Sequence, residues 1–168
     1  MITHSPLLNH SGERWRDLLR GDLLSRSLIR HLGGLSSGLA LDWAQVHGVL
    51  DVGCGSGAWA RAVARTSPHL DVLGIDCDPL ALDMAGSCSV AGEEPVPNVR
   101  FAMMDAHALD ERTLPSAHFD LVHLAFLAEA LLTVNYAALV RSLFRVTRAG
   151  GMLLWTEAEF PLTTSPAC

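Results

Sequence analysis

Val49-Leu50-Asp51-Val52-Gly53-Cys54-Gly55-Ser56-Gly57-Ala58-Trp59 decides the fold of this chain. An apolar strand runs into an acidic residue, then into three glycines on alternate positions, then into a helix. Glycine tolerates positive φ and, lacking a Cβ, lets a ligand approach the backbone closely. Three of them between a strand and a helix make a place where a nucleotide-like molecule can lie against bare main chain.

Outward from this run the pattern alternates. Gly48–Val52 reads as the first strand, Gly57–Thr66 as a helix ended by Ser67-Pro68, and Leu70–Ile75 as the second strand. A helix follows from Pro79 to about Ser87, with Asp78 as its N-cap and proline at the first helical position. Residues 88–97 read as a loop, Val99–Met103 as a third strand, 105–118 as irregular with a turn at Leu114-Pro115, and Phe119–Leu124 as a fourth strand. Leu127–Val146 reads as a long helix, Ala149-Gly150-Gly151 as a turn, and Met152–Thr156 as a fifth strand. Strands alternating with helices imply βαβ units, a parallel sheet and right-handed crossovers. The expected fold is α/β, a Rossmann-like doubly wound, mostly parallel sheet in three α/β/α layers. Upstream, apolar residues recur every three or four positions from Trp15 to Leu32, which predicts an amphipathic helix over 13–33 stopped by Gly33-Gly34. The division is therefore an N-terminal helical extension (1–47, with a loop and short helical turn after 35), a ligand-binding domain (48–157) and an irregular tail (158–168).

The length of 168 residues suits one domain. Apolar residues make up 49% and charged residues 18%, which with a positive mean hydropathy indicates a well-buried core. No apolar run approaches the ~18 residues of a membrane span, and the polar N-terminus does not read as a signal peptide. Net charge is −6 with no basic cluster, so neither nucleic acid nor an anionic membrane is an expected partner. Cys54, Cys77, Cys88 and Cys168 show no metal-ligand spacing, so no metal site is expected. They read as small thiols in a reducing, cytoplasmic setting.

In a doubly wound sheet the ligand sits beyond the carboxyl ends of the strands. Asp76 ends the second strand, 21 positions after Gly55, where a carboxylate can accept from both hydroxyls of a ribose; otherwise it caps a loop. Asp105 ends the third strand, as an adenine contact or as an Asx-turn. Asp78 reads as a helix cap and Asp120 as structural. Gly53-x-Gly55-x-x-Ala58 also fits a dinucleotide fingerprint, which leaves a NAD-dependent oxidoreductase as an alternative. Asp51 argues against it: a carboxylate before the glycines repels a pyrophosphate, whereas a cationic, amino-acid-bearing ligand is not repelled.

Five segments together resemble the class I S-adenosylmethionine-dependent methyltransferases of the small-molecule type. They are Val49–Gly57, Leu73-Gly74-Ile75-Asp76, Asn98–Phe101 with Asp105-Ala106, Phe119–Val122, and Arg145–Gly151, in order and in register over roughly 48–157. The resemblance implies a glycine loop under the methionine part of S-adenosylmethionine and Asp76 on its ribose. It also implies Asp105 with Ala106 at the adenine, and the backbone near Leu124 at the amino group. The candidate cofactor-binding set is Asp51, Gly53, Cys54, Gly55, Gly57, Asp76, Cys77, Asp105, Ala106 and Leu124. The activity it implies is methyl transfer to a small-molecule acceptor.

Because the sulfonium is already activated, the protein mainly supplies orientation and desolvation, and no catalytic residue is assigned. His123, Glu129 and Glu157 are the candidates for a base; the alternatives are a packed strand histidine, a solvated or capping helix residue, and a substrate or site contact respectively. His107 and His118 read as exposed, Trp59 and Trp155 as core. Trp15, and with it Arg20, are candidate lid residues over the cofactor. The family's sheet usually has two more strands beside the fifth. Their absence from this sequence leaves three expectations: a truncated chain, a homodimer through the exposed fifth-strand edge, or a non-catalytic cofactor-binding or partner subunit.

Overall fold

The structure, a computed structural model, describes residues 6–31, 41–87, 94–127 and 136–157. In chain order the elements are α1 (Pro6–His31), β1 (Gly48–Val52), α2 (Ala58–Thr66), β2 (Asp71–Asp76), α3 (Pro79–Gly86), β3 (Val99–Met103), β4 (Phe119–Ala125), α4 (Tyr136–Val146) and β5 (Thr147–Thr156). The five strands form one sheet in the order β3-β2-β1-β4-β5, and every neighbouring pair is parallel. The order reverses between β1 and β4, which makes that junction the switch point of a doubly wound fold.

Side-chain alternation along β1 and β4 separates two cores. Leu50, Val52, Val122 and Leu124 point to one face and pack with Leu139, Leu143 and Val146 of α4. Val49 and Leu121 point to the other, against Trp59, Ala60, Val63 and Ala64 of α2. Both faces of β4 are covered, so all but its last residue are buried, as expected for an inner parallel strand. Arg61 of α2, itself buried, donates to the Ala85 carbonyl at the end of α3 (2.9 Å) and to the Ser56 carbonyl (2.8 Å), tying both to the loop after β1.

The amino ends of the strands are joined by Asp120. Its Oδ2 accepts from the backbone N–H groups of His47 (2.6 Å) and Gly48 (2.8 Å), and its Oδ1 pairs with Arg148. The expected structural role of Asp120 is what the fold gives it. Asp78 likewise caps α3, accepting from Leu80 N–H at 2.9 Å.

Several boundaries differ from expectation. The described part of the helix before β5 begins at Tyr136, and residues 128–135 of the expected longer helix lie outside the described residues, Glu129 with them. So do Gly33-Gly34, Cys88, Cys168 and the tail from 158. The predicted turn at 149–151 is absorbed into β5: Phe119 pairs with Thr147 but Leu121 with Met152, so 148–151 bulge opposite Asp120, with Gly150 at φ +79°. Among the described residues no helix is long and apolar enough to cross a membrane.

Candidate functional site

The chain leaves β1 through three left-handed glycines, Gly53 (φ +66°), Gly55 (φ +53°) and Gly57 (φ +72°). Each meets a different surrounding. A Cβ on Gly53 would lie 2.6 Å from Leu127, and one on Gly57 would lie 2.5 Å from the Phe101 ring. A Cβ on Gly55 would meet no atom within 4 Å. Gly53 and Gly57 are therefore packing glycines as well as turn glycines, whereas Gly55 presents bare backbone to open space.

That space is a cleft of about 300 Å³ over the switch point, at the lower end of the range for small-molecule sites, roughly 300–1,000 Å³. Its floor is Gly53, Cys54, Gly55 and Ser56 after β1; one wall is Asp76 and Asp78 after β2; the opposite wall is Ala125, Phe126 and Leu127 after β4. Leu18, Gly21, Asp22 and Ser25 of α1 cover it.

Asp76 is held by the loop it faces. Its Oδ2 accepts from Gly55 N–H and its Oδ1 from Asp78 N–H, each at 2.9 Å. Each carboxylate oxygen keeps a further lone pair for a ligand hydroxyl. α1 docks through Asp22, whose Oδ1 accepts from the Ser56 hydroxyl (2.5 Å) and whose Oδ2 accepts from Arg26 (2.8 Å). Among the described residues that line the cleft there are three aspartates, of which Asp22 is paired with Arg26, and neither Lys nor Arg, so the electrostatics suit a cationic ligand better than a pyrophosphate.

Beyond β4 the chain turns sharply. Phe126 has φ +57°, a conformation uncommon outside glycine and concentrated at functional sites. Its N–H donates to the Thr156 carbonyl at 2.9 Å. Glu157 Oε1 accepts from the Leu127 N–H (3.1 Å) and from the Trp155 indole (2.6 Å), and Trp155 stacks with Tyr136 at 6.0 Å between centroids. Glu157 thus props the wall of the cleft.

Of the sequence candidates, the cleft gathers Gly53, Cys54, Gly55 and Asp76. Asp51 lies beneath it, 3% exposed and bonded to His123. Gly57 caps α2 and makes room for Phe101. Asp105 is exposed and caps the 3-10 turn Ala106–Ala108, accepting from His107 N–H at 2.9 Å, which is the Asx-turn alternative; Ala106 begins that turn. Cys77 is exposed between the two lining aspartates, and its thiol is pushed up by burial, then by Asp76 and Asp105. Leu124 is fully buried toward α4, one residue short of the cleft wall. Burial, followed by Asp51 and Asp76, pushes the Cys54 thiol far up as well, so it is a neutral floor group.

Trp59 is core, as expected, and Trp155 packs against the other core from a half-buried position. Trp15 is 41% exposed and outside the cleft lining; α1 covers the site one turn later, with Leu18, Gly21, Asp22 and Ser25. Those four, with Phe126 and Leu127, were missed in the sequence. The signal was available for the latter two, since residues immediately past a strand end line such sites. Nothing local marks the α1 residues, whose role depends on how the helix docks.

Residues 49–151 match the family described as methyltransferase domain. Methyltransferase str3 of Strobilurus tenacellus is 32% identical over 121 residues, 71% of this chain and 38% of that protein. Methyltransferase str2 of the same organism is 28% identical over 151 residues, 88% of this chain and 50% of that protein. The chain thus spans half or less of the length of these relatives. Among solved structures, an O-methyltransferase family protein from Burkholderia thailandensis superposes with a TM-score of 0.63 at 22% identity, covering 92% of this chain and 44% of that one. Coclaurine N-methyltransferase bound to N-methylheliamine and SAH superposes at 0.59 with 20% identity, over 77% of this chain and 35% of that one. These likenesses agree with the α/β fold, and the match over 49–151 spans β1 to β4 with the loops after β1, β2 and β4: the chain belongs to the methyltransferase domain family.

Proposed function

We propose that the cleft binds S-adenosylmethionine and that the protein transfers a methyl group to a small-molecule acceptor. The observation that carries this reading is Gly55, whose missing Cβ leaves bare peptide facing the cleft beside the anchored carboxylate of Asp76. A ligand ribose fits hydroxyl-to-carboxylate on Asp76, and its amino-acid end fits the loop from Gly53 to Ser56. When bound, S-adenosylmethionine supplies a methyl group already activated by the sulfonium.

The chain's own residues bind and orient. Asp76 and Asp78 line the cleft with carboxylates that favour a cationic ligand, while Asp22 is paired with Arg26. Leu18, Phe126 and Leu127 give it apolar walls that exclude water. The acid-lined site and net charge of −6 both favour this reading over a dinucleotide. Isothermal titration calorimetry with S-adenosylhomocysteine tests it. Binding in the micromolar range is expected, and no heat at millimolar ligand overturns it. Tight NAD binding without S-adenosylhomocysteine binding would transfer the site to the oxidoreductase alternative.

A further inference from the structure

His123 on β4 touches both ends of the glycine loop at once. Its Nδ1 lies 2.8 Å from Asp51 Oδ1, and Asp51 is the second residue before Gly53. Its ring lies flat on Trp59, with centroids 3.7 Å and planes 11° apart, and Trp59 is the second residue after Gly57. All three residues are buried. The register explains the meeting: Asp51 and His123 are direct partners across the β1–β4 pair, on the face that α2 covers.

An ionised carboxylate only accepts hydrogen bonds, so Nδ1 carries the hydrogen and the tautomer is set by Asp51. Stacking on Trp59 removes the ring's remaining freedom. The arrangement has a cost that packing alone does not explain. Asp51 Oδ2 and His123 Nε2 are both buried without a hydrogen-bond partner. Two apolar side chains would fill this space with no orphaned polar atom, and such orphans call for a reason other than packing.

We propose that His123 is a positioning residue that clamps the entry and the exit of the glycine loop, and so sets the shape of the cleft floor between them. The choice of ligand probe rests on the S-adenosylmethionine reading; the clamp itself rests on the geometry.

Two measurements on the full chain test it. In 15N-histidine NMR, His123 is expected as the Nδ1–H tautomer, with a resonance that moves when S-adenosylhomocysteine is added. In calorimetry, His123→Phe keeps the stacked ring but loses the donor, and is expected to bind S-adenosylhomocysteine roughly tenfold more weakly, the scale of one charge-assisted hydrogen bond. His123→Asn returns a donor toward Asp51 and is expected to recover most of that loss, which a space-filling role would not predict. An Nε2–H tautomer, a resonance indifferent to bound ligand, or His123→Phe binding as tightly as wild type overturns the clamp. If His123→Phe does not fold, the wild-type tautomer and its response to ligand decide the matter. Failure of the wild type to bind S-adenosylhomocysteine overturns the reading of the cleft instead, and the tautomer still tests the clamp.

Discussion

Gly55 and Gly57 stand two residues apart, both in the left-handed region, and replacing each by alanine should have different consequences. Both have positive φ, +53° and +72°, so either substitution costs about 1 kcal/mol of backbone strain. At Gly57 the new Cβ would also lie 2.5 and 2.6 Å from Phe101 ring atoms and 3.0 Å from the Arg61 guanidinium. Phe101 is wedged there, since a Cβ on Gly74 would strike the same ring at 2.6 Å. That overpacking adds roughly 1–3 kcal/mol, for a total of about 2–4 kcal/mol. At this chain length the expected fall in Tm is roughly 5–15 °C. At Gly55 the Cβ meets nothing, so Tm should fall by only ~2–4 °C. It projects into the cleft, however, where a ligand lying on bare backbone is displaced. A loss of about 2 kcal/mol of fit corresponds to roughly 30-fold weaker S-adenosylhomocysteine binding. Gly57→Ala should bind within about threefold of wild type, because its Cβ points into the protein (a threefold change is roughly 0.7 kcal/mol). Differential scanning fluorimetry and calorimetry read the two quantities separately. Gly55→Ala with wild-type affinity, or Gly57→Ala with wild-type Tm, would refute the assignment of floor and packing roles.

Asp22→Ala removes the contact between α1 and Ser56; faster amide hydrogen exchange across 18–25 and weaker S-adenosylhomocysteine binding are expected, and unchanged exchange would show that α1 docks by other means. Arg61→Met leaves the Ser56 and Ala85 carbonyls without their buried donor, at an expected cost of about 3 kcal/mol in urea unfolding; a loss below about 1 kcal/mol would contradict its role as the tie between α2, α3 and the loop. Cys54 carries a pH prediction. Its folded thiol is pushed up by burial, while in the unfolded chain it ionises near the ordinary value of 9.0. Unfolding therefore releases a proton above that pH, and the stability this thiol contributes is full below it and falls as pH rises, by up to about 1.4 kcal/mol per unit. Urea unfolding at pH 8 and pH 10 should show a shallower decline for Cys54→Ala than for wild type; equal slopes would place the thiol in water.

Much of the fold was legible because its determinants are local. The first and third strands agree with the predicted Gly48–Val52 and Val99–Met103 at both ends, since apolar, β-branched runs bounded by turn residues leave little choice. Asp78-Pro79 marks its own helix start for the same reason. The bulge at 148–151 was read as a turn because a glycine pair signals chain reversal locally, whereas here β4 holds the segment in its ladder on both sides. In the site, Gly55 and Asp76 were legible from their spacing. His123 was weighed as a base or a packed histidine, and the tertiary contacts give it Asp51 and Trp59 as partners.

By itself the sequence determined the order of strands and helices, the glycine turn at the end of β1 and the acid at the end of β2, because each follows from side chains acting on their own backbone. Only the tertiary structure decided which of the three glycines opens onto the cleft, that α1 covers the cleft with Asp22, and that Asp51 is engaged by a histidine 72 residues away. Those facts depend on which strands lie side by side and how helices dock on them. Such contacts are set by the packing of the whole sheet, and no local stretch of chain encodes them.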